Sequence, residues 1–309
     1  MTNAPNIKRT EHYMQEYGEV ILTGLVLGTI ARILMLRSDY RQYPGYPHGY
    51  ITHLSLGFIA AALGTLAIPA LAEKDFAAVT FLSLAAQQFR DIRNMERETM
   101  ANLEVVELVP RGLDYVEGIA RVFESRNYLV MFTALVTSAV TYWGSWYWAV
   151  MAGALIIALN TIFMQGKVIG DIAQVVPAKI SFEGALLKVD EVVIMNVGLT
   201  DAREKILAEG LGAKIIPKNA NALAVLHDMG QRQAILHTAA SLLGTKREIG
   251  EQEWSPLARK EIDSGEIMLF LLPVYRNQKS LVEAINRTPV LESAKRKPLT
   301  TKAGKAAVD

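Results

Sequence analysis

Long uninterrupted apolar runs, all confined to one half of the chain, constrain this sequence more than any other feature. They fall between residues 18 and 165: Val20–Leu36, Ile51–Ala72, Phe76–Phe89, Tyr128–Trp143 and Trp146–Met164. A helix needs about 20 mostly apolar residues to cross a bilayer core. The first two runs approach or reach that length. Phe76–Phe89, with 14 residues, does not. It reads as a short span, a re-entrant segment or a helix buried against the others. The tight polar turn Glu73-Lys74-Asp75 before it favours a span. The sequence therefore predicts a multi-pass α-helical membrane domain of four or five spans, followed by a cytoplasmic α/β domain. Hydrophobic residues make up 51% of the 309, but that average merges two unlike halves. From residue 166 on, the composition is that of an ordinary soluble domain.

The expected organisation is a polar segment 1–17, spans over 18–89, a charged helical loop 90–127, spans over 128–165, an α/β domain 166–293 and a basic tail 294–309. The first residues are polar and lack the apolar core of a secretory leader, so Val20–Leu36 is expected to be retained. Arg90, Arg93, Arg97, Arg111, Arg121 and Arg126 cluster between the third and fourth runs. The Trp-rich turn Tyr142–Trp148 has no Lys or Arg. By the positive-inside rule the Arg-rich loop and the α/β domain face the cytoplasm. The aromatic turn suits the opposite interface, where indoles sit half wet. Side of the N-terminus depends on whether Phe76–Phe89 spans.

Several function classes drop out. A formal net charge of +1 leaves no electrostatic footprint for nucleic acid. The absence of Cys removes disulfides, thiol nucleophiles and Cys metal sites. There is no GxGxxG, P-loop, HExxH or GxSxG, and no cofactor is expected. His227 and His237, ten apart, do not have metal spacing. Glu183, Asp190 and Asp228 cannot be told from surface charges.

The residues singled out as candidate functional or interaction sites form three groups. Arg32 lies inside the first run and either snorkels to the headgroups or is a buried, pore-facing charge. Arg41, Tyr43, Tyr46 and His48 belong to a Pro- and Tyr-rich loop, either an interfacial turn with Tyr anchors or a segment that lines an entrance or binds a headgroup. In the cytoplasmic loop, Arg90, Asp91, Arg93, Glu96 and Arg97 lie on a charged helix at i,i+4 spacing. Beyond the Pro110-Arg111-Gly112 break, Tyr115, Glu117 and Gly118 belong to an amphipathic helix with Val116, Ile119, Ala120 and Phe123 on its apolar face. Gly24/Gly28, Gly57/Ala61 and Ala60/Gly64 are small-xxx-small pairs of the kind that let helices approach closely in lipid.

Tyr115-Val116-Glu117-Gly118-Ile119-Ala120 is one substitution, Val116 for Ile, from the hexapeptide that gives the YIEGIA family its name. The Arg41–Tyr50 loop, Phe89–Arg97 and Gly230-Gln231-Arg232-Gln233-Ala234-Ile235 resemble that family too. The resemblance implies a membrane assembly in an endospore-forming bacterium, associated with a small companion protein described as a capping complex subunit. It carries over no catalytic residues.

In the α/β domain, the pattern predicts a hairpin over Ala178–Val189, strands at Glu191–Val197, Lys214–Pro217 and Glu266–Val274, and helices from Thr200, over Met229–Leu243 and over Lys279–Arg287. Thr200-Asp201-Ala202-Arg203-Glu204 reads as a capped helix start. The tail Lys295, Arg296, Lys297, Lys302 and Lys305 is expected to be solvated or to lie on anionic lipid. Three functions are compatible with this reading. One is a non-enzymatic membrane subunit that forms homo-oligomers or binds the capping partner. The others are a channel or transporter subunit and a membrane-tethered enzyme using the α/β domain.

Overall fold

A computed structural model describes residues 4–39, 47–163, 166–246 and 255–295. Arg41, Tyr43 and Tyr46, the side chain of His48 and the basic tail from Arg296 lie outside the described residues. The chain divides into two compact units. The first comprises Met1–Arg97 and Ile119–Gln165, the second Glu98–Gly118 and Gly166–Asp309. The middle of the charged loop, residues 98–118, thus belongs with the α/β domain.

The helices of the chain's first half are α1 (Ala4–Asp39), α2 (Pro47–Ala72), α3 (Phe76–Glu104), α4 (Leu113–Trp143) and α5 (Trp146–Phe163). The expectation of four or five spans is corrected here. Two stretches among the described residues, Tyr13–Leu36 and Gly49–Ala72, are long and apolar enough to cross a membrane. Length and polarity remove the others. The Phe76–Phe89 run is only the opening half of α3, which continues through charged residues to Glu104. The α4 helix begins with Asp114, Glu117, Arg121, Glu124 and Arg126 and carries Thr and Ser through its apolar half. The apolar stretch of α5, Trp146–Ile162, is shorter than a full crossing.

Close helix approach organises the first unit, and glycines permit it. A Cβ on Gly28 would lie 2.8 Å from the Ala61 Cβ and 2.9 Å from the Ala134 Cβ. One on Gly64 would lie 2.1 Å from the Met131 carbonyl oxygen. The small-xxx-small pairs are therefore used within the chain, where α1, α2 and α4 meet. Ala31, Met35, Ala60, Ala61, Phe89, Val130 and Ala134 form the core of this unit.

The second unit holds α6 (Ile169–Ile172), β1 (Ala173–Ala178), β2 (Ile180–Glu183), β3 (Leu186–Val189), β4 (Val192–Asn196), α7 (Thr200–Glu209), β5 (Leu211–Pro217), α8 (Ala220–Leu226), α9 (Met229–Leu243), β6 (Leu257–Lys260), β7 (Ile267–Leu271) and α10 (Gln278–Asn286). The strands form a four-stranded sheet ordered β1-β5-β7-β6 and a three-stranded sheet ordered β2-β3-β4. Every pairing is antiparallel. Strand β7 is buried along its whole length, which accounts for its unbroken run of apolar residues. Met268, Phe270 and Leu272 share a core with Leu187, Val189 and Ile194 of the smaller sheet and with Ala202 and Ile206 of α7.

Asn219, Asp228 and Asn277 cap α8, α9 and α10, each side-chain oxygen accepting from the backbone N–H three residues on, at 2.9–3.1 Å. The capped start expected at Thr200 is different. The N-cap is Leu199, without a side-chain cap. Arg203 instead donates to the Thr200 hydroxyl at 3.0 Å and to the Gly184 carbonyl at 2.9 Å.

Candidate functional site

In the first unit, α1 positions Arg32 where no solvent reaches it: the residue is 0% exposed. That removes the snorkelling reading. Its Nε donates to the His53 carbonyl at 3.3 Å, and its Nη2 donates to His53 Nδ1 at 2.7 Å. A guanidinium only donates, so Nδ1 must be the unprotonated nitrogen. The guanidinium carbon lies 5.8 Å from the centre of the Phe123 ring, and the His53 ring meets the same phenyl edge-on at 4.7 Å. Gly57, one turn beyond His53, has the Arg32 stem where a Cβ would be: the Arg32 Cγ would lie 2.3 Å away. The residue types at 32, 53, 57 and 123 form one interlocked arrangement.

Arg126 lies in the same electrostatic neighbourhood. Burial first, and then the like charge of Arg32, lower it to about 10. Next to it Asn127 is 0% exposed, and neither atom of its amide finds a hydrogen-bond partner among the described residues. Arg93 pairs with Glu124 at 3.1 Å. Arg90, Asp91 and Arg97 are exposed, and Glu96 is half-buried.

The second unit holds a pinned loop. Glu104 pairs with Arg111 at 2.9 Å and accepts from the Gly112 N–H at 3.0 Å, folding 104–112 back on itself. Gly112 has φ +92°, a conformation that favours glycine. Two side chains of α9 hold the loop's carbonyls. Gln233 Nε2 donates to the Pro110 oxygen at 2.6 Å, and His237 Nδ1 donates to the Val109 oxygen at 2.6 Å. The opposite ring nitrogen, Nε2, lies 3.2 Å from the Ser241 hydroxyl. Burial lowers the His237 pKa, partly offset by the bond to Val109. Tyr115 is buried too, and its hydroxyl is pushed up to about 12. Glu117 and Gly118 are half-buried, and a Cβ on Gly118 would meet nothing within 4 Å.

Held on this platform, Val105 and Val106 are 83% and 80% exposed. Leu113 and Met229 are also open to solvent, and Gly230 lies against Asp114. Val105, Val106, Leu113 and Met229 are thus large apolar side chains of the second unit left open to solvent.

Gln231 is fully buried. Its amide donates to the Pro289 carbonyl at 3.0 Å and accepts from the Leu291 N–H at 2.8 Å, clamping the segment after α10. Residues 230–237 thus secure both the 104–112 loop and the C-terminal segment. Sequence reasoning noted the Gly230–Ile235 stretch but gave none of its residues this role. The only signal was a pair of amides spaced two apart on a helix.

The acid/base candidates have structural partners. Asp228 is the α9 N-cap, Asp190 turns the chain at φ +49° with its carboxylate accepting from the Lys179 N–H, and Glu183 pairs with Lys188. His227 Nε2 lies 3.3 Å from the Gly265 carbonyl, apart from His237. Among the described residues no three His, Asp or Glu side chains converge as a metal-binding group.

A model of the family described as YIEGIA protein matches residues 20–301 of the chain. A protein of Bacillus subtilis (strain 168), described as uncharacterized protein YphB, is 44% identical over 285 residues, covering 92% of this chain and 96% of that relative. No solved structure matches the chain significantly.

Proposed function

The chain belongs to the YIEGIA protein family, and on that premise we propose that it is a membrane-held binding subunit of an assembly in an endospore-forming bacterium. In this reading α1 and α2 hold the protein in the inner membrane. The Arg-rich 90–126 segment sets the α/β domain on the cytoplasmic side. The domain's task is to present the 104–113 loop to a small protein partner, of which the capping companion is the first candidate.

One observation carries the reading: the loop is anchored through its backbone by Glu104, Gln233 and His237, while its most exposed apolar side chains, Val105 and Val106, face solvent. A mobile loop would lose entropy on binding, whereas one already fixed does not. Exposed apolar side chains on a rigid platform suit a protein interface better than catalysis.

The test places a photo-crosslinking residue at Val106 in the full-length protein, co-expressed with the companion. The expected outcome is a crosslink to the companion, with Val105→Asp/Val106→Asp losing co-purification while the melting curve is unchanged. Equal co-purification of the double variant, with no crosslink at 106, refutes the reading.

The buried Arg32 centre favours a second reading, a channel or transporter subunit, because ionisable residues within an apolar span commonly mark pathways. It predicts ion flux in vesicles that Arg32→Met abolishes. Absence of flux from correctly inserted protein rejects it.

A further inference from the structure

Where α2, α4 and the start of α5 come together in the first unit, they leave a groove of about 620 Å³. Ile68 and Leu71 of α2, Val136, Ala139 and Trp143 of α4 and Trp148 of α5 line it. No charged side chain contributes to its wall. The volume lies within the range of about 300–1,000 Å³ typical of small-ligand pockets. It is open along one side, where Leu71, Trp143 and Trp148 are exposed.

The surroundings are amphipathic in a graded way. One wall is α2, whose Gly49–Ala72 stretch is long and apolar enough to cross a membrane. Directly beyond Leu71 the chain turns through Glu73, Lys74 and Asp75, with Lys74 at φ +54° and the Tyr17 hydroxyl donating to Glu73 at 2.8 Å. The apolar groove therefore gives way to a charged turn over about one helical turn. The two indoles at its mouth are the side chains that favour the boundary between hydrocarbon and headgroups. Hydrocarbon deep, indoles at the rim and charge just beyond is the polarity order of a phospholipid.

We propose that this groove is a specific binding site for one acyl chain of a membrane phospholipid, with the headgroup at the level of the 73–75 turn. A protein helix would need apolar contact along its length, whereas this groove meets charge at one end. The inference rests on the membrane location proposed above.

Full-length protein with Trp146→Phe and Trp254→Phe keeps Trp143 and Trp148 as emitters, since the chain has four Trp. In detergent micelles it is titrated with phosphatidylcholine carrying brominated acyl chains, which quench nearby indoles. The expected result is quenching that saturates at one equivalent, and one phospholipid retained per chain in native mass spectrometry. Ala139→Phe fills the groove and should abolish both signals. If that variant unfolds, Leu71→Asp, at an exposed wall position, puts a charge against the chain and should do the same. Quenching that rises without saturation, or survives both substitutions, overturns the proposal. So does a particle mass showing a second protein chain whose removal opens the groove. Liposome flotation separates the two inferences. Protein that floats without the saturable signal refutes the groove alone, and protein that does not float refutes the membrane reading.

Discussion

Replacing Gln231 by methionine keeps the side chain's length and removes its amide. In the wild type that amide holds two backbone groups, the Pro289 carbonyl at 3.0 Å and the Leu291 N–H at 2.8 Å. Gln231 is 0% exposed and Leu291 4%, so water does not readily replace either bond. A buried polar group left without a partner costs about 1–3 kcal/mol. Two such groups, with partial relaxation, put the loss at about 3 kcal/mol. The segment should not detach as a whole. The Val290 N–H still donates to the Lys167 carbonyl and the Ile169 N–H to the Thr288 carbonyl, at 2.8 and 2.9 Å. The damage is expected in the opening equilibrium around Leu291. At 1.4 kcal/mol per factor of ten, the loss corresponds to about a hundredfold fall in amide protection. Hydrogen exchange read by mass spectrometry on a peptide covering 288–294 measures it directly. Protection at Leu291 within about threefold of wild type would refute the reasoning.

Two glycines should behave oppositely. Gly64→Ala drives a Cβ to 2.1 Å from the Met131 carbonyl oxygen and should destabilise by about 1–3 kcal/mol or more. Gly118→Ala meets nothing within 4 Å and should stabilise α4 by up to about 1 kcal/mol. Thermal melts of both in one detergent check the pair, and melting shifts of the same sign would contradict it. Arg32→Lys cannot reproduce the paired donation to His53 and should lower stability by about 2 kcal/mol in the same melts. A melting temperature equal to wild type would show that the His53 contacts contribute nothing. Burial lowers the His237 pKa below its ordinary 6.5, so the folded state prefers the neutral ring. Its contribution is fully present above pH 6.5 and falls as pH drops from there toward the folded value. Protection factors at 108–112, taken relative to the intrinsic exchange rate at each pH, should fall on acidification through that window, and His237→Gln should flatten the dependence. An identical pH profile in the variant would remove His237 as the cause.

The sequence by itself determined most local structure of the α/β domain. The β2–β3 hairpin, β4, β5, β7, α9 and α10 all fall where periodicity and turn residues put them, because each signal is local: alternation, helical spacing or a glycine. Strand β1 and helix α8 were not legible. They are short, and their apolar residues follow no period long enough to stand out. Nor was the antiparallel pairing, which depends on contacts between residues far apart in the chain.

That the chain holds apolar stretches long enough to cross a membrane was legible, but their number was not. An apolar stretch of 14–17 residues suits a buried helix as well as a short crossing, and α3 and α4 carry theirs into charged continuations. Of the candidate residues, Arg32 was conspicuous as a charge in an apolar run. Only tertiary packing could show that it is enclosed by His53 and Phe123 rather than reaching for water. The α9 clamps left almost no trace, because glutamine and histidine on a helix look the same whether they face solvent or hold another segment's carbonyls. Charge, length and periodicity are properties of the chain and can be read along it. What an amide or guanidinium does depends on which distant backbone group arrives beside it, and only the fold decides that.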